Sequence, residues 1–401
     1  MDPLRYILIG NPDNRRVRLF QDELAARGHP PAIEIAYRDL LRDPGVLDQL
    51  PDEPFLVRQD SAGEDFEVER SLLALGYHDA VAADVDTIDP DAIAALEFDL
   101  GRILCPRQLH LGFLRLLDTL AAIYAAHPSW RILSPPPAIA ELFDKRVTSR
   151  RWRELGIPVP PGLSSGIHGE LDTDAGPDRV SSPDELRQAM DERDWPAVYV
   201  KVSCSSSASC LAVYHWQRSR DVRRDSGPER GWLMTTIEHT PGAWYNSLRI
   251  RRYREPARVD EILGFLLREG AQIEAQVAKA RLDGAPFDLR IVAVAGEPAH
   301  GVVRQNRHPI TNLHLGGWRG DWPALEAAMP AGALDAVYHS CRRVAAASGC
   351  FSLGIDVLVE PGMARHRILE ANAFGDLLPN LLRDGLSVYG WQIREAAGRT
   401  W

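Results

Sequence analysis

Lysine is almost absent from this 401-residue chain: of 46 basic residues only Lys145, Lys201 and Lys279 are lysine, and the other 43 are arginine. Ordinary surface charge is thus carried by arginine. A retained lysine marks a position where a compact ammonium on a flexible stem is wanted rather than a planar fork, as in a tight phosphate pocket. Cysteine is scarce too. Cys105, Cys204, Cys210, Cys341 and Cys350 form no CxxC pair, which argues against a disulfide framework or a structural zinc and fits a reducing compartment. Nowhere do about 18 apolar residues run together as a membrane span requires, and the apolar run in "MDPLRYILIG" is short for a secretory signal. A soluble, cytoplasmic protein is expected. Excess positive charge is also missing: the net charge is -10, so the basic surface that neutralises nucleic-acid phosphates is lacking. P-loop, HExxH and ordered Ser/His/Asp signatures do not occur, which sets those hydrolase and nucleotide-binding classes aside.

What is present is a large core, with 45% hydrophobic residues in a length that implies two or three domains. "RYILIGNP" reads as a buried strand, "RRVRLFQDELAARG" as a helix closed by Gly28, and "AIEIAY" as a second strand, the opening of an α/β layered domain. No GxGxxG follows the first strand. "PFLVRQD" gives another strand and residues 109–127 a long helix of period near 3.6. The prolines at 135–137 mark a boundary, and the next helix is interrupted near Asp144 and Lys145. Residues 162–182 and "DVRRDSGPERG" read as surface loops, and "AVYVKVSC" and "SCLAVYHW" as a hairpin. From about Ala271 strands dominate, around one helix at 323–348. The chain is therefore α/β at its start and α+β at its end, with units at 1–134, 135–270 and 271–401.

The chemistry gathers near the end. In "GIDVLVEPGMARHRILEAN" two apolar strands flank a Pro-Gly turn. A hairpin centred near Met363 sets Asp356 opposite Glu370, with Cβ atoms roughly 5 Å apart, and strand alternation puts Asn372 on the same face as Glu370. Two carboxylates and an amide are oxygen ligands suited to Mg²⁺, with phosphates and waters completing the octahedron. Lys201 leads into "VSCSSSASC", whose small residues let backbone amides approach a phosphate. Lys145 stands just before a helix, and Lys279 ends a β run. Arg58 and Arg107 are candidates for a substrate carboxylate, which a guanidinium grips with two parallel bonds. His110 and His314 are isolated.

Taken in order, these pieces resemble the ATP-grasp superfamily over roughly residues 136–382. "DKRVTSRRWRELGIPVPP" looks like its first lysine motif, "VYVKVSCSSSASC" its second lysine and phosphate-covering loop, and "IEAQVAKA" its hinge; "FDLRIVAVAG" carries a DxR element, while "GIDVL" and "LEAN" match its metal strands. The resemblance implies an ATP-grasp fold behind an N-terminal α/β (pre-ATP-grasp) domain, with ATP and Mg²⁺ as cofactors. It implies nucleotide contacts from Lys145, Lys201, Ser205, Ser206, Ser207, Glu274, Lys279, Asp288, Asn312 and His314, and from the main chain of Gln276 and Val277. Arg290 and Arg304 would act on the transferred phosphate, and Asp356, Glu370 and Asn372 would hold metal. The implied activity is ligation of a carboxylate, activated as an acyl phosphate, to an amine, each a small molecule or a peptide. A phosphotransferase or a non-catalytic nucleotide binder on the same scaffold are the alternatives. No nucleic acid or membrane partner is expected, and a homodimer is allowed. Two departures stand out: residues 203–209 contain no glycine, and Ala278, Lys279 and Ala280 offer no acid for a ribose.

Overall fold

The computed structural model describes residues 4–166, 178–205, 209–217, 231–308 and 316–399. Ser206, Ser207, Asn312 and His314, residues 221–230 of one expected loop and residues 167–177 of the other lie outside these.

The first unit comprises β1 (Tyr6–Gly10), α1 (Arg15–Ala26), β2 (Ile33–Ala36), α2 (Tyr37–Arg42), β3 (Leu56–Gln59), α3 (Phe66–Ala82), α4 (Pro90–Ala94), β4 (Arg102–Ile103), α5 (Pro106–Ala126) and β5 (Arg131–Ile132). Its sheet is parallel in the order β2-β1-β3-β5, and every residue of β1 and β3 is buried, as expected where helices cover both faces. Helix α5 is long and apolar enough, by length and composition alone, to cross a membrane, which the sequence reading did not expect. Leu116, Leu117 and Leu120 on this helix belong instead to the main core.

Helix α5 crosses α3 at two glycines. A Cβ on Gly76 would collide with the carbonyl of Gln108, and one on Gly112 with the carbonyl of Leu72. Backbone against backbone leaves nothing able to yield, so Gly112→Ala is expected to destabilise the protein by about 3 kcal/mol or more. Thermal denaturation checks this, and an unchanged midpoint would remove the crossing as a constraint.

The second unit holds α6 (Pro136–Phe143), α7 (Lys145–Glu154), β6 (Gly162–Ser164), α8 (Pro183–Glu192), β7 (Ala197–Val202), β8 (Leu211–Trp216), β9 (Gly231–Thr240), β10 (Ala243–Tyr253), α9 (Pro256–Arg268) and β11 (Ala271–Ala275). The expected break falls at Asp144, whose side chain accepts from Arg146 N and caps α7. The sheet runs β4-β10-β9-β8-β7-β11-β6. The sheet crosses the expected divisions: β4, from the first unit, pairs with β10, and β11 pairs with β7 and β6. The middle unit therefore extends past residue 270, to Ala275.

The last unit contains β12 (Arg281–Leu282), β13 (Ala285–Val294), β14 (Glu297–Gln305), β15 (Trp318–Arg319), α10 (Trp322–Ala328), α11 (Ala333–Ser348), β16 (Ser352–Val359), β17 (His366–Asn372) and α12 (Val388–Ala397). Its sheet is antiparallel, β15-β14-β13-β16-β17 with β12 on β13. The single helix expected at 323–348 is two, because Pro330 cannot donate to the helix ladder and Gly332, at φ 77°, takes the left-handed turn that starts α11. One apolar core runs from the first sheet to the last through Leu116, Ile139, Trp152 and Ile355, while the middle sheet has its own.

Candidate active site

The hairpin of β16 and β17 pairs Asp356 with Glu370 and Gly354 with Asn372, the expected partners, but a bulge at Leu369 sets this register, since nearer the turn Val357 pairs with Ile368 and Val359 with His366. On the other side of β16, β13 sets Arg290 against Asp356, and β14 sets Arg304 against Asp288. Because side chains alternate, Asp288, Arg290, Arg304, Asp356, Glu370 and Asn372 all face one cleft of about 1150 Å³.

Their charges interlock. Asp356 receives Arg290 Nη1 at 3.0 Å and Arg304 Nη2 at 3.0 Å, and Arg304 Nε reaches Asp288 at 2.7 Å. Arg290 Nε lies 3.2 Å from Asp376. Lys279 Nζ is 3.0 Å from Asp288, Lys201 Nζ 2.8 Å from Glu274, and Lys145 Nζ 3.8 Å from Glu370. Lys145 also donates to the carbonyls of Ser203 and Ser205, which ties α7 to the loop after β7. Five cations thus meet five carboxylates, and a polyanion entering so balanced a buried site must bring its own countercharge.

Burial by itself would raise the Glu370 carboxyl, but Lys145, Lys201, Arg290 and Arg304 override it and hold the group down at about 2. Asp356 moves the other way, to about 6, since burial together with the charge of Glu370 outweighs its two arginines. Lys201 is raised: its burial opposes the charge, and Glu274 and Glu370 more than compensate.

These residues fit a magnesium ion. Asp356 Oδ1 is buried and makes no hydrogen bond among the described residues, with Arg290 Nη1 3.0 Å away. Asn372 Nδ2 donates to the Gly354 carbonyl at 3.3 Å, turning its oxygen into the ligand atom. A Cβ on Gly354 would press on Arg290 Nη1 and the Gly375 carbonyl, which keeps this floor bare. Among the described residues no three His, Cys, Asp or Glu side chains cluster closely enough to hold a metal. An ion here would draw its remaining oxygens from phosphate and water.

The facing wall carries Lys145, Tyr199, Lys201, Ser205, Glu274, Val277 and Lys279. Four sequence readings change. Gln276 N–H donates to Ala197 O at 2.9 Å, extending the β7–β11 pairing, so of its main chain only the carbonyl can meet a base. Arg58 sits between the rings of Phe20 and Tyr389, 4.5 and 4.6 Å from their centres, and pairs with Asp60 at 2.9 Å; it supports the core and grips no substrate. Arg107, also buried, lies 3.8 Å from Asp144 and outside the cleft lining, while His110 on the next turn does line it. Lys279 lies in the connection after β11 and not at a strand end. Asp376 was missed; its signal was its place after Gly375, whose φ of 62° turns the chain back towards Arg290.

No family model matches the chain, and no curated protein is similar in sequence. Solved structures are similar in fold. The ATP-grasp ligase PsnB, complexed with a phosphomimetic variant of its minimal precursor, Mg and ADP, superposes with a TM-score of 0.53 at 14% identity, covering 99% of both chains. The D-cycloserine synthetase DcsG gives 0.53 at 11%, covering 98% of this chain and 99% of its own. The macrocyclase MdnC, bound with precursor peptide MdnA from Microcystis aeruginosa MRC, gives 0.51 at 13%, covering 98% and 100%. Over nearly its whole length, the chain has the fold of the ATP-grasp ligases.

Proposed function

We propose that this protein is a cytoplasmic ATP-dependent ligase that activates a carboxylate as an acyl phosphate and joins it to an amine. The observation that carries this is the row of Arg290, Asp356 and Glu370 across three adjacent strands, with Arg304 beside it and two of the three lysines within reach. The substrate carboxylate attacks the γ-phosphorus of ATP and ADP leaves; the amine then attacks the acyl carbon and phosphate leaves. Arg290 and Arg304 offer fixed guanidinium donors where charge builds up on the transferred group. Lys145 and Lys201 meet the remaining phosphate oxygens. Asp356, Glu370 and Asn372 would hold magnesium, which would supply charge neutralisation at the phosphates. Each substrate is a small molecule or a peptide, since the cleft is open enough for either.

The test is a screen of acid and amine pairs with ATP. Release of ADP and phosphate is expected only when acid, amine and Mg²⁺ are all present, and removing the metal with EDTA should stop it. Transfer of the phosphoryl group to a hydroxyl would favour a kinase, and nucleotide binding without turnover on any pair would sink the ligase.

A further inference from the structure

The cleft has a second end. Glu69 and Leu72, one turn apart on α3, line it together with Leu109 and Phe113, one turn apart on α5, and the glycine crossing locks the two helices together. From Phe113 a chain of rings leads back towards the metal cradle: Phe113 to Phe143 at 4.9 Å, and Phe143 to Phe374 at 5.7 Å. Phe374 lies two residues beyond Asn372, and all three rings line the cleft.

Glu64, Asp65 and Glu69 all line the cleft on this side, but Asp65 pairs with Arg38 and Glu64 accepts from Asn14, which leaves Glu69 apart. Among the described residues no hydrogen bond or ion pair engages it, and burial, with no neighbouring charge to offset it, pushes its carboxyl above the usual range. His110 brings no countercharge, because burial and then Arg107 lower it to about 3 and keep it neutral. The contrast with the other end is plain, since there each carboxylate has a cation. A half-buried carboxylate in apolar surroundings favours a cationic ligand. One carboxylate offers too few oxygens for Mg²⁺ or Ca²⁺.

We propose that this end seats the amine substrate: a primary amine on an apolar body, its ammonium paired with Glu69 and its body laid against Phe113, Phe143 and Phe374. The assignment rests on the ligase reading. It assigns Arg290 and Arg304 to the acid and the unpaired carboxylate of Glu69 to the amine, so the two substrates enter in one orientation.

Calorimetry on the full-length protein without nucleotide tests it, using two probes of the same shape. L-Phenylalaninamide carries the ammonium, and 3-phenylpropanamide lacks it. The wild type is expected to bind the amine at least about tenfold more tightly, the value of one partly desolvated charge pair. Glu69→Gln should bring that ratio close to one while leaving the affinity for Mg-AMPPNP unchanged, and Phe113→Leu should weaken both probes alike. Equal binding of the probes by the wild type, or a preference that survives in Glu69→Gln, overturns the proposal. Failure of the ligase reading appears separately, as absent ADP release on the acid and amine screen.

Discussion

Glu370→Gln is expected to reduce ADP release by at least about 10³-fold with the fold intact. The substitution keeps the shape and removes one charge, at the one position where a carboxylate on β17 faces Asp356 across the ladder. Four cations hold Glu370 ionised throughout the working pH range, so the wild type always presents this charge to a metal and the amide never does. The loss has a second signature. Without Glu370 the cluster carries one more net positive charge, so affinity for metal-free AMPPNP should equal or exceed that of the wild type. That result, with an unchanged circular dichroism spectrum, separates a lost metal ligand from a damaged fold. Wild-type turnover in this variant at ordinary Mg²⁺ concentrations would remove Glu370 from the metal site.

For Lys201→Arg a loss of at least about 100-fold in kcat/KM for ATP is expected, although charge is conserved. The Lys201 side chain is only 13% exposed, and its ammonium reaches Glu274 along a slot beside Tyr199. A guanidinium is wider and planar; it fits such a slot only by displacing Glu274 or by withdrawing from the phosphate position. Replacement by methionine would be a poorer experiment, because it leaves Glu274 buried without its partner, itself a cost of about 3–5 kcal/mol. Arginine isolates shape from charge. In a chain that uses arginine at 43 of its 46 basic positions, wild-type rates for this variant would mean that lysine was not required here.

Several parts of this site were legible before any coordinates. The turn at Pro361 and Gly362 sets the register of the strand ends, Val359 with His366 through Val357 with Ile368, and a bulge at Leu369 then brings Glu370 opposite Asp356. The scarcity of lysine drew attention to Lys145, Lys201 and Lys279, and all three line the cleft. Other readings failed for one shared reason. Arg58 and Arg304 are both arginines on short apolar strands, yet the first is enclosed by Phe20 and Tyr389 and the second faces Asp356. Which neighbours enclose a side chain depends on α1 and α12, far away along the chain. The N–H of Gln276 is spent on Ala197, a pairing that only the folded sheet reveals.

By itself the sequence determined the local geometry: which stretches alternate and where the chain turns. Those properties depend on neighbours a few residues away. The tertiary structure alone decided that β11 closes the middle sheet, that Asp376 returns to Arg290, and that Glu69 is left without a cation among leucines and phenylalanines. Such outcomes depend on long-range packing and on the balance of burial against charge, and they exist only once distant segments share one low-dielectric cleft.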